Sequence, residues 1–222
     1  MPDMPAFLPR GAGPCNIDGP LNIAICHINQ EDFNAGLHYL HIAEHDAEIH
    51  CPDRLWDIYQ EEVFVHSQTG QVEQALGYID KMEQLKDNDY AVTTVLRGNV
   101  YLENLHPGKA RECFEKALKL SGSSPAILMR VAVSLYDNNY LTESYGILSS
   151  FGAEDFRQLP QAHAYLAISA YDLGYREEFL THLKEAVEKA PEAARQVFAP
   201  LFPEELEPTE YYEHAQKNPN LT

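Results

Sequence analysis

The 222-residue sequence predicts an all-α fold assembled from antiparallel helix pairs. Three observations predict it. Residues of the type that packs recur at a near-constant interval, residues suited to reversing the chain fall at that same interval, and no stretch alternates apolar and polar residues as a strand would. The strings VSLYDNNY at 133–140 and ISAYDLGY at 168–175 display the interval directly, since Ser, Tyr, Asp and Tyr stand in register 35 residues apart.

A repeat must carry its packing residues with it. A small or apolar residue that opens the second helix of a pair stands at Gly36, Ala75, Ala110, Ser144 and Phe179, at intervals of 39, 35, 34 and 35 residues, the long first interval marking an insertion near HDAEIHCPD. Four residues after each comes Leu40, Ile79, Phe114, Leu148 or Leu183, and three later Ala43, Met82, Ala117, Phe151 or Ala186, which is helical spacing on one stripe. Twelve residues before each stands Ala24, Val63, Gly98, Ala132 or Ala167, mostly small, as required where two helices cross closely. Thr69-Gly70, Asn104 to Gly108, Asn138-Asn139 and Leu173-Gly174 fall where a helix has to stop and reverse, and Gly or Asn suits a left-handed C-terminal cap. Pro20, Pro107, Pro125 and Pro160 lie near helix starts, where a missing N–H matters little, and Ser124 is placed to cap the helix opening at Pro125.

The predicted helices are 17–29 with 32–46, 55–68 with 71–85, 91–104 with 107–120, 125–138 with 140–151, and 160–173 with 175–190. Residues 1–16 form an irregular N-terminal segment and 17–191 the array. PEAARQVFAPLF within 192–206 supplies a capping helix and linker, with Ala194, Val197 and Phe198 inward and Glu192 and Arg195 outward, and 207–222 is an acidic tail with one short helix after Thr209.

Sixteen Lys and Arg against 34 Asp and Glu give a formal charge of −18, which repels phosphate backbones and acidic membrane surfaces, so neither nucleic acid nor membrane is expected as a partner. MPDMPAFLPRGAGP lacks the basic start and apolar run of a signal peptide, and no stretch approaches the ~18 apolar residues of a membrane span. Cys15, Cys26, Cys51 and Cys113 form no paired-spacing motif, and four scattered thiols fit a reducing compartment, hence a cytoplasmic location.

The period of 34 to 35, RGNVYLENLHPGKARECFEKALKL at 97–120 and LAISAYDLGYREEFLTHLKEAVEKAP at 166–191 resemble tetratricopeptide repeats (TPR). Gly98, Tyr101, Ala110, Phe114 and Ala117 match in the third pair, and Ala167, Gly174, Ala186 and Pro191 in the fifth. The resemblance covers roughly 17–191. The sequence departs from it at Glu62 and Arg97, where the family prefers an apolar residue, and in the NIDGPLN that opens the first pair. It implies a right-handed α-α superhelix of about five helix pairs, with first helices on a concave wall, that binds a partner polypeptide and performs no chemistry.

HIAEH, His41 to His45, fits the His-x-x-Glu-His pattern of inverted zinc peptidases, and two histidines four apart on a helix can share a zinc. No third ligand follows from the sequence, and His38, His41 and His45 share a face at i, i+3 and i+7, so His41 and His45 stand only as weak metal candidates beside the simpler reading of a solvated helix face. There is no phosphate-cradling loop, no nucleophile elbow and no Cys-His pair that the repeat frame brings together, so no catalytic residue or cofactor is expected.

The candidate partner-binding wall comprises Phe64, Asn99, Glu103, Met129, Tyr136, Asp137, Ile168, Tyr171 and Asp172. It is apolar and aromatic with a carboxylate fringe, suited to a peptide with apolar anchors and Lys or Arg. The competing reading is that Tyr136 and Tyr171 pack against the next pair with their hydroxyls at the rim. The carboxylate clamp through which some of these arrays hold acidic chaperone tails is not matched: its positions read Gln60, Phe64, Leu96, Ala126 and Arg130, and only the arginine fits. The expectation is a non-enzymatic scaffold or adaptor. The alternatives are a self-associating module, weakly homo-oligomeric through its terminal helices or through FAPLFPEEL in another copy's groove, and, behind it, a metal-binding protein or metallopeptidase.

Overall fold

A computed structural model describes residues 17–218 and Leu221, so the predicted N-terminal segment 1–16 lies outside the described residues. Among the described residues there are thirteen α-helices, one 3-10 turn at Pro52–Arg54 and no strand. The chain divides into two lobes, one of Met1–Asp89 with Glu103–His106, the other of Tyr90–Leu102 with Pro107–Thr222.

The first lobe holds α1 (Asp18–Asn29), α2 (Phe33–His50), α3 (Leu55–Gln68) and α4 (Val72–Glu83). α1 pairs with α2 and α3 with α4. A Cβ built on Gly36 would sit 2.8 Å from Ile28 Cγ1, so the α1–α2 crossing is as close as glycine permits. Asp32 caps α2 by accepting from the Ala35 N–H at 3.2 Å. α2 runs to His50, four residues beyond the predicted 46, and stops before Pro52, whose ring disfavours helical backbone at Cys51. Cys51 is disulfide-bonded, which corrects the reading of four free thiols; Cys26 and Cys113 are free.

The second lobe holds α5 (Tyr90–Glu103, its last residue counted with the first lobe), α6 (Pro107–Ser121), α7 (Pro125–Asp137), α8 (Leu141–Leu148), α9 (Ala153–Gln158), α10 (Ala162–Asp172), α11 (Arg176–Lys189), α12 (Pro191–Phe198) and α13 (Pro208–Lys217). Ser124 accepts from the Ile127 N–H at 3.4 Å, with Pro125 as the first helical residue, as expected. The helix expected over 140–151 ends at Leu148 instead. The Ser149 and Ser150 hydroxyls turn back onto the carbonyls of Gly146 and Ile147 at 3.2 and 2.6 Å, which favours termination, and Gly152 then leads the unforeseen α9, where Asp155 accepts from its N–H at 2.8 Å.

The recurring stripes are buried throughout. All twenty positions named above, from Ala24 to Ala186, lie in the interior. The turns recur as well: Glu31, Gly70, Leu105, Asn139 and Gly174 all have φ between 59° and 77°, at the same intervals of 39, 35, 34 and 35. At four of these turns the following N–H reaches back five residues, Asp32 to His27, Gln71 to His66, Tyr140 to Leu135 and Tyr175 to Ala170, each at 2.8–2.9 Å, and so satisfies carbonyls the ending helix leaves open.

At the C-terminus α12 is placed as predicted, with Ala194 and Phe198 buried and Glu192 and Arg195 exposed. The predicted acidic tail is corrected. Residues 208–217 form α13, which packs on α11: Tyr211 stacks on Phe202 at 4.2 Å, Ala215 is buried, and its carbonyl accepts from Arg176 at 2.9 Å. Glu207 and Glu210, which made the segment look solvated, serve as its cap and as the partner of Arg195. Phe198 and Phe202 are buried within their own lobe, so FAPLFPEEL is not free to enter another copy.

Two outcomes follow for stability, both measurable by urea unfolding. A Cβ at Gly98 would lie 2.5 Å from Phe114 Cε1, so Gly98→Ala, though helix-favouring, lowers stability by about 1–3 kcal/mol as the buried ring is displaced. Leu105, 86% exposed at φ 62°, holds a left-handed conformation with little side-chain burial in return, so Leu105→Gly raises stability by roughly 0.5–1 kcal/mol.

Candidate functional site

Polar side chains that join successive helix pairs do so across nearly constant sequence separations. In the first lobe Arg54 donates to Asp18 at 3.0 Å, Lys81 to Glu44 at 2.8 Å, and the Ser67 hydroxyl to Glu103. In the second lobe the Ser134 hydroxyl donates to Asn99 at 2.6 Å, Tyr136 to Asp172 at 2.8 Å, and Tyr145 to Glu178. These bonds span 33 to 37 residues, so each joins roughly equivalent steps of adjacent pairs.

The predicted wall residues differ in exposure and in what they touch. In the first lobe Phe64 projects from α3 with 44% of its surface exposed, whereas Glu103 is committed to Ser67, which Asn104 also approaches at 3.2 Å. In the second lobe Asp137 is exposed on the last turn of α7. Asn99 accepts from Ser134 and, at 3.4 Å, from Asn138. Met129 packs against the cluster of Ala132, Leu148, Phe151, Ala162 and Leu166. Ile168 is 4% exposed and belongs to the core, which corrects its placement on an open wall; it lies on α10, where Ala167, Ile168, Ser169 and Ala170 are buried in succession. Tyr171 rests on Phe179 at 5.2 Å, a contact within its own helix pair.

The two recurring Tyr-Asp pairs meet. The Tyr136 hydroxyl donates to Asp172, and burial together with that carboxylate pushes the phenol well above its ordinary range, so Tyr136 stays protonated and donating at physiological pH. Asp172 thus accepts a hydrogen bond within the lobe.

The sequence did not reveal an open apolar groove in the second lobe, about 510 Å³, lined by Leu102, Phe114, Leu118, Leu128, Leu135 and Ile147 among others, with Arg111, Glu115 and Glu143 at its walls. It draws on second helices α6 and α8, which the resemblance assigns to the outer side; Leu118 and Ile147, apolar beside the buried stripe, were the available signal. A second hollow, about 700 Å³, lies against a stack of Phe156, His163 and His182 in which the two Nδ1 atoms are 2.9 Å apart. Burial first, then His182, pushes the His163 imidazole down to about 4, so it is neutral at pH 7.

His41 and His45 both lie on the exposed side of α2. Among the described residues no three His, Cys, Asp or Glu side chains are arranged to hold a metal ion. Nor is any helix there long and apolar enough to cross a membrane. No known family model matches the chain, and no curated protein is detectably similar in sequence.

The Tyr136–Asp172 bond is testable by a double-mutant cycle. Tyr136→Phe and Asp172→Asn each lower stability by about 0.5–1.5 kcal/mol in urea unfolding, and the double variant loses less than the sum of the two.

Proposed function

We propose that the chain is a non-enzymatic scaffold or adaptor of tetratricopeptide type: five helix pairs in a right-handed superhelix that receive a partner polypeptide on the first-helix side. The observation that carries the reading is the recurrence of one left-handed turn at Glu31, Gly70, Leu105, Asn139 and Gly174, in step with the buried stripes, because repeated helix pairs are the architecture of binding arrays. Phe64 supplies an exposed aromatic anchor in the first lobe and Asp137 an exposed carboxylate in the second. With a net charge of −18, the partner class is a peptide segment with an apolar anchor flanked by Lys or Arg.

Selection from a randomised peptide library displayed on phage tests this. The expected enrichment is for sequences that combine a large apolar residue with basic neighbours. Phe64→Ala weakens the selected peptides roughly tenfold or more in a fluorescence titration, as for an aromatic hot spot, while leaving thermal unfolding unchanged. Failure to enrich any sequence, or enrichment of acidic peptides, rules the reading out.

A further inference from the structure

Among the described residues of the first lobe Glu62 is the one carboxylate that is 0% exposed, and neither of its oxygens has a hydrogen-bond donor there. It sits in the middle of α3, where an apolar residue would complete the α2–α3–α4 packing. A bare carboxylate in that position is strongly disfavoured, because nothing replaces the water it has lost.

The groups around it are set by three helices. From α2, His41 Nε2 lies 3.6 Å from Oε1, and Glu44 adds negative charge to its surroundings. On α3, His66 Nε2 lies 3.3 Å from Oε2, one helical turn on, and Tyr59 lies near. From α4, Tyr78 stacks on the His66 ring at 5.5 Å. Lys81, the nearby cation of α4, is bonded to Glu44 at 2.8 Å and lies over the Tyr78 and Tyr59 rings at 4.3 and 5.2 Å, so it does not neutralise Glu62 directly.

The orientation of His66 decides what bridges the gap. Its Nδ1 is 3.0 Å from the Gln71 Oε1, a carbonyl oxygen that can only accept, so Nδ1 carries the hydrogen and a neutral ring presents a bare Nε2 to Glu62. Burial holds the His66 ring below its usual pKa and so favours that neutral form. Two atoms that carry only lone pairs then lie 3.3 Å apart, and a proton on Glu62 turns one of them into a donor.

We propose that Glu62 is a carboxylic acid in the folded protein at neutral pH, donating its proton to His66 Nε2, and that Gln71, His66 and Glu62 form a proton-held clasp between α3 and α4 that alkaline pH releases. Burial first, then Glu44, raises the Glu62 carboxyl to about 8, with Lys81 opposing. The sign follows. Between the ordinary 4.5 and about 8 the folded chain keeps a proton the unfolded chain has lost, so the clasp stabilises fully below 4.5, progressively less as pH rises through about 8, and not further less above it.

Thermal unfolding of the wild-type protein and Glu62→Gln from pH 5 to 9.5 tests the clasp. The glutamine amide can donate to His66 Nε2 as the acid does but cannot ionise. The expected result is a Tm advantage of Glu62→Gln that widens from pH 5 to about 8, reaches about 3 °C or more, and is constant above. A difference that does not change with pH overturns the proposal, as does a variant less stable throughout. Independently of whether the variant folds, carbon-13 NMR of the wild-type side-chain carboxyls is expected to show one resonance titrating near pH 8, and complete titration of all 34 Asp and Glu below pH 6 overturns it. Stoichiometric zinc or another transition metal in the purified protein, whose chelation lowers Tm, would place a metal where the proton is assigned and overturns it too.

Discussion

Each helix pair depends on one residue in left-handed backbone. At Gly70, Asn139 and Gly174 that conformation ends one helix, lets the next N–H bond five residues back, and starts the following helix two residues on. The constraint is severe because a helix turned by one residue rotates its faces by roughly 100°. Ala75, Ile79 and Met82, or Phe179, Leu183 and Ala186, meet their partners only if the turn places them in phase. The buried stripe is therefore as much a consequence of the turn as of hydrophobicity. Close crossing at Gly36 and Gly98 adds the second requirement, that nothing larger than hydrogen stand where the helices touch.

The stripes and most of the turns were legible in the sequence because both depend on local chemistry at a fixed period. Gly70, Asn139 and Gly174 advertise their backbone; Leu105 does so only through the Asn104 to Gly108 stretch around it, and Glu31 fell merely in the gap between the helices expected over 17–29 and 32–46. The short C-terminal helix was expected after Thr209, but its packing was missed, because Glu204, Glu205, Glu207 and Glu210 give the segment the composition of a solvated tail, while that packing rests on Tyr211 and Ala215, too few to show as a pattern. The candidate wall was legible in position and not in availability. Nothing in the sequence predicts that Asp172 takes the Tyr136 hydroxyl, or that Ile168 joins a run of four buried residues on α10.

Polar residues in this protein are used in two opposed ways. Across helix pairs, Arg54, Ser67, Ser134 and Tyr136 donate to acceptors at partly exposed positions, where water would compensate a broken bond and the energetic gain is modest. Glu62 is the reverse case. It departs from the apolar residue that the tetratricopeptide pattern prefers, and the same departure that weakens the resemblance gives the first lobe a fully buried carboxylate.

The side-chain bonds between helix pairs described above span 33 to 39 residues along the chain, Arg176 to the Ala215 carbonyl being among the longer ones. A search confined to such short loops carries little closure entropy, so each pair can find its neighbour without waiting for distant segments to arrive. The kinetic counterpart is fraying. With cohesion passed from neighbour to neighbour, hydrogen exchange in the second lobe is governed from its C-terminal end, where α13 lies over Phe202 and has only α11 and α12 to hold it.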